Sequence, residues 1–285
     1  MHRTPMLLED LSVEITARDT PALVALAADL PAGTRVSVTH LGTEGAAERR
    51  EAAAAAARAA LVPVPHLAAR RFSSESDLRA TLEGLRAHEA HERLFVVGGD
   101  PRTPAGPYAS ALDLIRSGVL AEAGVAEVGI AGYPEGHPAI ADDVLWAELG
   151  AKAAALAEQG LAGSITTQFS FDVDAVVAWI ERARALGITL PIRVGIPGPA
   201  GVRRLLAFAR RCGVGTSAGI ARKYGFSLTS LVGTAGPDRF VAELGSRLDE
   251  RHGEVRLHVY TFGTLDAAVA WAREARAAAV PAERP

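Results

Sequence analysis

A chain of 285 residues with 49% hydrophobic and 22% charged side chains can bury a large core, which excludes a disordered polymer and suits an α/β barrel or two small domains. A net charge of −3 gives no basic footprint for nucleic acid, and no segment approaches the roughly 20 apolar residues that cross a bilayer. The single cysteine, Cys212, excludes an intramolecular disulfide framework, and MHRTPMLLEDLS has no apolar leader run, so a cytoplasmic protein is expected.

In chain order, short β-branched runs alternate with Ala/Leu/Arg stretches of helical spacing. Ser12–Thr16 reads as a strand followed by a helix over Thr20–Leu30, and Arg35–Leu41 with Gly45–Ala60 repeats the pair. Leu61–His66 is followed by Ser74–His91, and Leu94–Gly99 by Ala109–Leu120. Then come Glu127–Gly132 with Ala139–Gln159, Ser164–Phe171 with Val173–Leu186, and Ile192–Ile196 with Val202–Arg211. Val255–Phe262 and Leu265–Val280 close the series. Ala52–Ala60 is a helix of strong formers rather than low complexity. Gly213–Lys223 stays open between a short helix, a loop and a ninth strand.

Eight strands, each followed by a helix, predict an α/β chain folded as one (β/α)8 barrel in a single domain over residues 1–285. The strands are mostly continuous apolar runs, as parallel strands covered on both faces should be. The rival, a doubly wound open sheet, usually places a glycine-rich phosphate loop after its first strand, where this chain has EITARD.

A (β/α)8 barrel forms its active site at the carboxyl ends of its strands. Those ends carry Glu14; Thr39 and His40; His66; Asp100; Tyr133, Glu135 and His137; Gln168; and Tyr260 and Thr261. The densest is EVGIAGYPEGHP, residues 127–138, where a buried run stops in three hydrogen-bonding side chains between two prolines. Burying a carboxylate and an imidazole there costs free energy unless each is paired. The strand starts Arg35, Arg93, Glu127 and Arg256 read as solvated charges on the opposite rim.

Other motifs carry less. His88-Glu-Ala-His91-Glu92 has i, i+3 spacing at a charged helix end, unlike HExxH. His40, His66 and His137 lie on different strands without an HxH pair, so no metal is expected. Gly98-Gly99-Asp100-Pro101 lacks the Gly-Lys-Ser/Thr of a phosphate loop, and no serine sits in a GxSxG elbow. Cys212 reads as a small buried residue.

Taken in order, the strand ends resemble methylenetetrahydrofolate reductases. The resemblance runs through SVEIT, VSVTHLGTEG, PHL, VVGGDP with YASALDLI, GIAGYPEGHP, ITTQFSFD and LHVYTF, nearly the whole chain. It implies the same barrel, without the regulatory domain that eukaryotic members add. It also implies reduction of 5,10-methylenetetrahydrofolate to 5-methyltetrahydrofolate with NAD(P)H, in methionine-linked one-carbon metabolism. By resemblance Glu14 is the general acid on N10, and Asp100 holds the guanidine-like pterin edge. Gln168 contacts folate and the nicotinamide donor, and Phe169 and Tyr260 line the substrate. Thr39, His66, Gly99, Tyr133 and His137 fall at positions that line the flavin in typical, FAD-containing members.

The chain departs from the pattern at the flavin's basic partners. The family's Leu-Arg-Gly-Asp reads Val97-Gly98-Gly99-Asp100, and its Asn-Leu-Lys-Arg-Lys run falls near Lys152–Leu156, KAAAL. Arginine and lysine do most of the binding to a diphosphate. Hydride transfer directly from NADH is therefore favoured over a loosely bound FAD, and Trp146 reads either as a core residue of its amphipathic helix or as filling part of the vacated volume. The family's Leu-Asn-Arg reads Phe262-Gly263-Thr264, with Arg222 or Lys223 as substitutes for the missing arginine. Nothing separates NADH from NADPH or sets an oligomeric state. Two other readings use the same residues: a (β/α)8 one-carbon or aldol-type enzyme, and a non-catalytic folate- or flavin-binding paralogue.

Overall fold

The computed structural model describes residues 4–214 and 234–279. Ten strands occur among them: β1 (Ser12–Ile15), β2 (Arg35–Val38), β3 (Val62–Ala68), β4 (Arg93–Val97), β5 (Glu127–Gly132), β6 (Ala162–Thr167), β7 (Ile192–Pro197), β8 (Ala200–Gly201), β9 (Thr234–Ala235) and β10 (Val255–Tyr260). Eight close into a barrel in the order β1-β10-β7-β6-β5-β4-β3-β2, while β8 and β9 form a separate antiparallel pair. The fold is the (β/α)8 barrel that the apolar periodicity predicts. Its strands bury Val13, Val36, Leu94, Val128, Ile165, Val194 and Leu257 almost completely, as strands covered on both faces require.

Most strands stop earlier than the apolar runs suggest. β2 ends at Val38, β4 at Val97, β6 at Thr167 and β10 at Tyr260, so Thr39, His40, Gly98, Gly99, Gln168 and Phe169 lie in the loops just beyond. Gly99 explains one stop, because its φ of +91° leaves the extended region and an added Cβ would sit 3.1 Å from the Ala68 Cβ. β3 runs on to Ala68, pairing with β2 over Val62–Pro65 and with β4 over His66–Ala68.

The predicted helices are present with shorter ends, and Ala109–Leu120 is two, Ala111–Arg116 and Val119–Glu122, broken at the left-handed Gly118. Two helices escaped the sequence reading, Thr4–Glu9 and Asp238–Arg247. The second buries Phe240, Val241 and Leu244 after Pro237, a helical spacing that could have been read. Helix Ala46–Arg58 buries Ala52 through Ala56, so most of the alanine run is helical as its composition predicts. From Gly213–Lys223, residues 215–223, with Arg222 and Lys223, lie outside the described residues.

Two corrections concern charge and burial. Arg35 donates to Glu127 at 2.5 Å and Arg93 lies 3.5 Å from the same carboxylate, whose side chain is only 15% exposed. These strand-start charges form a half-buried cluster rather than a solvated rim. Cys212 is half-buried, in the last turn of helix Val202–Cys212.

By contact density the chain divides into two units, Glu14–Gly132 with Trp146–Thr166, and Met1–Val13 with Tyr133–Leu145 and Thr167–Pro285. Glu14, Thr39, His66, Gly99 and Asp100 belong to the first. Tyr133, His137, Gln168, Phe169 and Tyr260 belong to the second.

Candidate active site

In the first unit Glu14 interrupts the otherwise buried β1. Its carboxylate is 20% exposed, with Oε2 3.9 Å from Nε2 of His66, whose imidazole is 9% exposed. The His66 ring lies tilted against Phe95, centroids 4.7 Å apart, and His66 and Phe95 are register partners across β3 and β4. Phe95 has room because its partner on β5 is Gly129, where a Cβ would come within 2.7 Å of its ring. A mostly buried carboxyl group beside an imidazole can hold and deliver a proton.

Around this pair the β2 and β4 loops add polar groups. The Thr39 amide donates to the Ile15 carbonyl at 2.9 Å, while its hydroxyl is sealed from solvent without a hydrogen-bond partner among the described residues. His40 is pushed down to about 4 by burial and by the nearby Arg49 and Arg71 guanidinium groups, so it is neutral at physiological pH. The Asp100 side chain is 90% exposed, with Arg71 Nη2 3.9 Å away. Arg71 packs so tightly over Gly42 that an added Cβ would fall 2.9 Å from its Cζ. Sequence reasoning missed Arg71, although an Arg-Arg pair directly after a barrel strand is a signal. It also missed Glu44, a buried carboxylate with neither oxygen hydrogen-bonded among the described residues.

The second unit is more tightly tied. After β5 the chain turns at Gly136, whose amide donates to the Tyr133 carbonyl at 3.1 Å and whose φ is +79°. His137 Nδ1 accepts from the Ala139 amide at 3.2 Å, which places the proton of the neutral ring on Nε2. Burial lowers the His137 pKa and raises that of Tyr133, and the two rings meet edge-on at 5.3 Å. Each is thus a neutral hydrogen-bonding group near pH 7.

Just past β6, Gln168 Oε1 accepts from the Phe169 amide at 3.1 Å, so the side chain's donor end is its carboxamide NH2. Phe169 is 2% exposed, and its ring meets Tyr260 at 5.6 Å and Phe262 at 5.2 Å. Tyr260 donates its hydroxyl proton to the Thr167 carbonyl at 3.0 Å. Phe262 adopts φ +49° and stacks on Phe208 at 4.3 Å, so an aromatic cluster starts the Phe262-Gly263-Thr264 stretch that stands in place of the family's Leu-Asn-Arg.

A flavin dinucleotide needs cations for its diphosphate, and the residues expected to supply them do not fit. Gly98 has open space where a Cβ would be but no side chain to fill it. Helix Asp142–Glu158 carries Asp142, Asp143, Glu148 and Glu158 against one cation, Lys152. Burial lowers the Lys152 pKa, with Glu148 opposing, and Trp146 on the same helix is buried. Among the described residues no three His, Cys, Asp or Glu side chains converge as metal ligands, and no helix is long and apolar enough to cross a membrane.

The chain is similar to known proteins in sequence and in fold. Two curated relatives share part of the chain: methylenetetrahydrofolate reductase 1 of Schizosaccharomyces pombe, 33% identical over 141 residues, and methylenetetrahydrofolate reductase 2 of Saccharomyces cerevisiae, 31% identical over 133. These matches cover 47% and 44% of this chain but only 22% and 21% of the yeast proteins. A solved structure, an uncharacterized protein from Clostridium thermocellum described as binding two copies of 5-methyl-5,6,7,8-tetrahydrofolic acid, superposes with a TM-score of 0.59 over 94% of this chain and 95% of its own. At 11% identity it supports the barrel fold alone. The model of the methylenetetrahydrofolate reductase family matches residues 22–226, and the chain belongs to that family.

Proposed function

We propose that this protein reduces 5,10-methylenetetrahydrofolate to 5-methyltetrahydrofolate, taking hydride directly from NADH without a resident flavin. The observation that carries the reading is Glu14, a mostly buried carboxyl group beside His66 in a chain of this family. Reduction begins when N10 of the bridged folate accepts a proton and its bond to the methylene carbon breaks, with the electron pair moving to N10. The N5-iminium that remains accepts hydride from C4 of the nicotinamide at the methylene carbon and becomes the N5-methyl group. NADH leaves as NAD+, so one hydride and one proton enter the folate.

Glu14 supplies the proton to N10, and burial keeps water from competing for it. Asp100, exposed near the start of the loop after β4, takes the donor edge of the pterin through two oxygens and puts negative charge near the developing cation. Gln168, its carbonyl oxygen already engaged, offers its NH2 to ring carbonyl groups. Direct transfer is favoured because the residues expected to hold a flavin diphosphate are Gly98 and the acidic helix Asp142–Glu158.

The test uses the purified chain and NADH deuterated at nicotinamide C4. We expect no stoichiometric visible flavin band, NADH loss only when methylenetetrahydrofolate is present, and full retention of the deuterium in the product methyl group. A flavin route would pass the label through N5–H and lose part of it to water. A stoichiometric flavin band overturns the direct route. Absence of NADH loss favours the one-carbon, aldol-type or binding-only alternatives.

A further inference from the structure

The YPEGHP turn holds a carboxylate that this chemistry leaves unused. We infer that Glu135 is a positioning residue: it fixes Ser170, and through Ser170 the short loop that presents Gln168 and Phe169 to the substrate. The inference rests on the proposed function for the meaning of that loop, but on geometry for the lock itself.

The lock is short and largely buried. The Ser170 hydroxyl donates to Glu135 Oε1 at 2.6 Å, a length typical of a strong bond to an ionised acceptor. The same hydroxyl oxygen accepts from the Asp172 amide at 2.9 Å, and Ser170 is 0% exposed. Its amide donates to the Gly195 carbonyl at 3.3 Å, and the Gly195 amide donates to Thr167 Oγ1 at 2.8 Å. Gly195 therefore clamps both ends of the 167–170 loop, leaving Gln168 and Phe169 arched between them. Asp172, two residues further, caps helix Val173–Ala185 through the amides of Asp174 and Ala175.

Within that frame Ser170 is tied to the YPEGHP turn by the bond its hydroxyl donates to Glu135. A carboxylate is well suited to the task. Both of its oxygens accept, so the Ser170 proton has one strong destination, and the lone pair stays turned toward Asp172. Without Glu135 the hydroxyl can rotate toward the Asp172 carbonyl, 3.3 Å away, and the loop loses its cross-link to the turn. A displacement of about 1 Å at a substrate-positioning group can cost on the order of a hundredfold in rate.

The experiment compares wild type with E135A, E135Q, S170A and the E135A/S170A double variant. The readouts are kcat and KM for each substrate, the dissociation constant for 5-methyltetrahydrofolate, and hydrogen exchange at the Phe169 and Ser170 amides. We expect E135A to lower kcat/KM for the folate about tenfold or more, with NADH KM little changed, and to speed exchange at both amides. E135Q, which keeps an acceptor oxygen, restores most of the loss, and the double variant is no worse than the worse single one.

Independent, multiplicative losses from E135A and S170A would overturn the inference. So would E135A with a lowered melting temperature but normal kcat/KM and normal loop exchange. If the wild-type chain turns nothing over, the reductase reading fails by itself, and the coupling is read from loop exchange and folate affinity. Unchanged exchange in E135A then overturns the lock.

Discussion

The unit holding Glu14 and the unit holding Gln168 treat their polar side chains in opposite ways. In the first, two pairs among the candidate site residues stand well apart, Glu14 from His66 at 3.9 Å and Asp100 from Arg71 at 3.9 Å. The Thr39 hydroxyl is sealed without a partner among the described residues. In the second, Glu135, Ser170, Thr167, Gln168 and Tyr260 are joined by bonds of 2.6 to 3.1 Å. A group that must grip a ligand gains from room to adjust, whereas a group that orients another gains from short, fixed bonds. The loose unit is the natural place for chemistry and the tight one for positioning.

The sharpest way to break this division is Glu14→Gln. The amide keeps the size and polarity of the carboxyl group but has no acidic proton, so kcat should fall on the order of 10³-fold. The dissociation constant for 5-methyltetrahydrofolate should stay within about threefold, because the acid is charged with proton delivery rather than holding. Stopped-flow NADH oxidation and calorimetric titration measure the two quantities. A variant that still turns over near the wild-type rate would remove Glu14 from the chemistry and leave the loose unit without its acid.

The sequence displays the loose unit better than the tight one, for a physical reason. A charged residue inside an apolar run is conspicuous, so Glu14 stands out within SVEIT without reference to any distant contact. The barrel itself is legible for the same reason, since eight buried runs are local patterns. The lock around Gly195 is not local: its partners Thr167, Ser170 and Tyr260 are 25 to 65 positions away, and the glycine looks like any other in a strand. Leu41 and Phe171 extend the apparent runs beyond polar Thr39-His40 and Gln168, whereas the ladders stop at Val38 and Thr167. Arg71 hid in a charged pair whose seat, Gly42, lies on another loop.

Gly195 gives the next test, aimed at the tight unit. A Cβ there would lie 2.3 Å from the Thr167 carbonyl oxygen, 2.7 Å from Tyr260 Cε2 and 2.8 Å from the Phe169 amide nitrogen. Two of the three are backbone atoms that cannot rotate aside. Gly195→Ala should therefore cost about 1–3 kcal/mol of stability and raise the folate KM as the Gln168 loop shifts. Gly201→Ala is the control, because nothing lies within 4 Å of its added Cβ, and it should stay within about 0.5 kcal/mol of wild type. Denaturant melts and initial rates report both. Equal melts for the two variants would mean that the loop gives way easily and that the tight unit is not rigid.

The smallest effect belongs to His40, in the loose unit. Its pKa is about 4 in the folded chain, held down by burial and by Arg49 and Arg71, against an ordinary value near 6.5 when unfolded. Between those two values the unfolded chain binds a proton that the folded chain refuses. Stability then rises with pH across that window and is lost as pH falls from about 6.5 toward about 4. His40→Gln removes this one titration while keeping a polar side chain of similar length. The melting temperature of the variant should fall less steeply than that of wild type between neutral pH and pH about 5, with the two curves parallel above about 7. Parallel curves throughout would show that His40 takes up its proton in the folded chain as readily as in the unfolded one, and that the arginines beside it are screened by water.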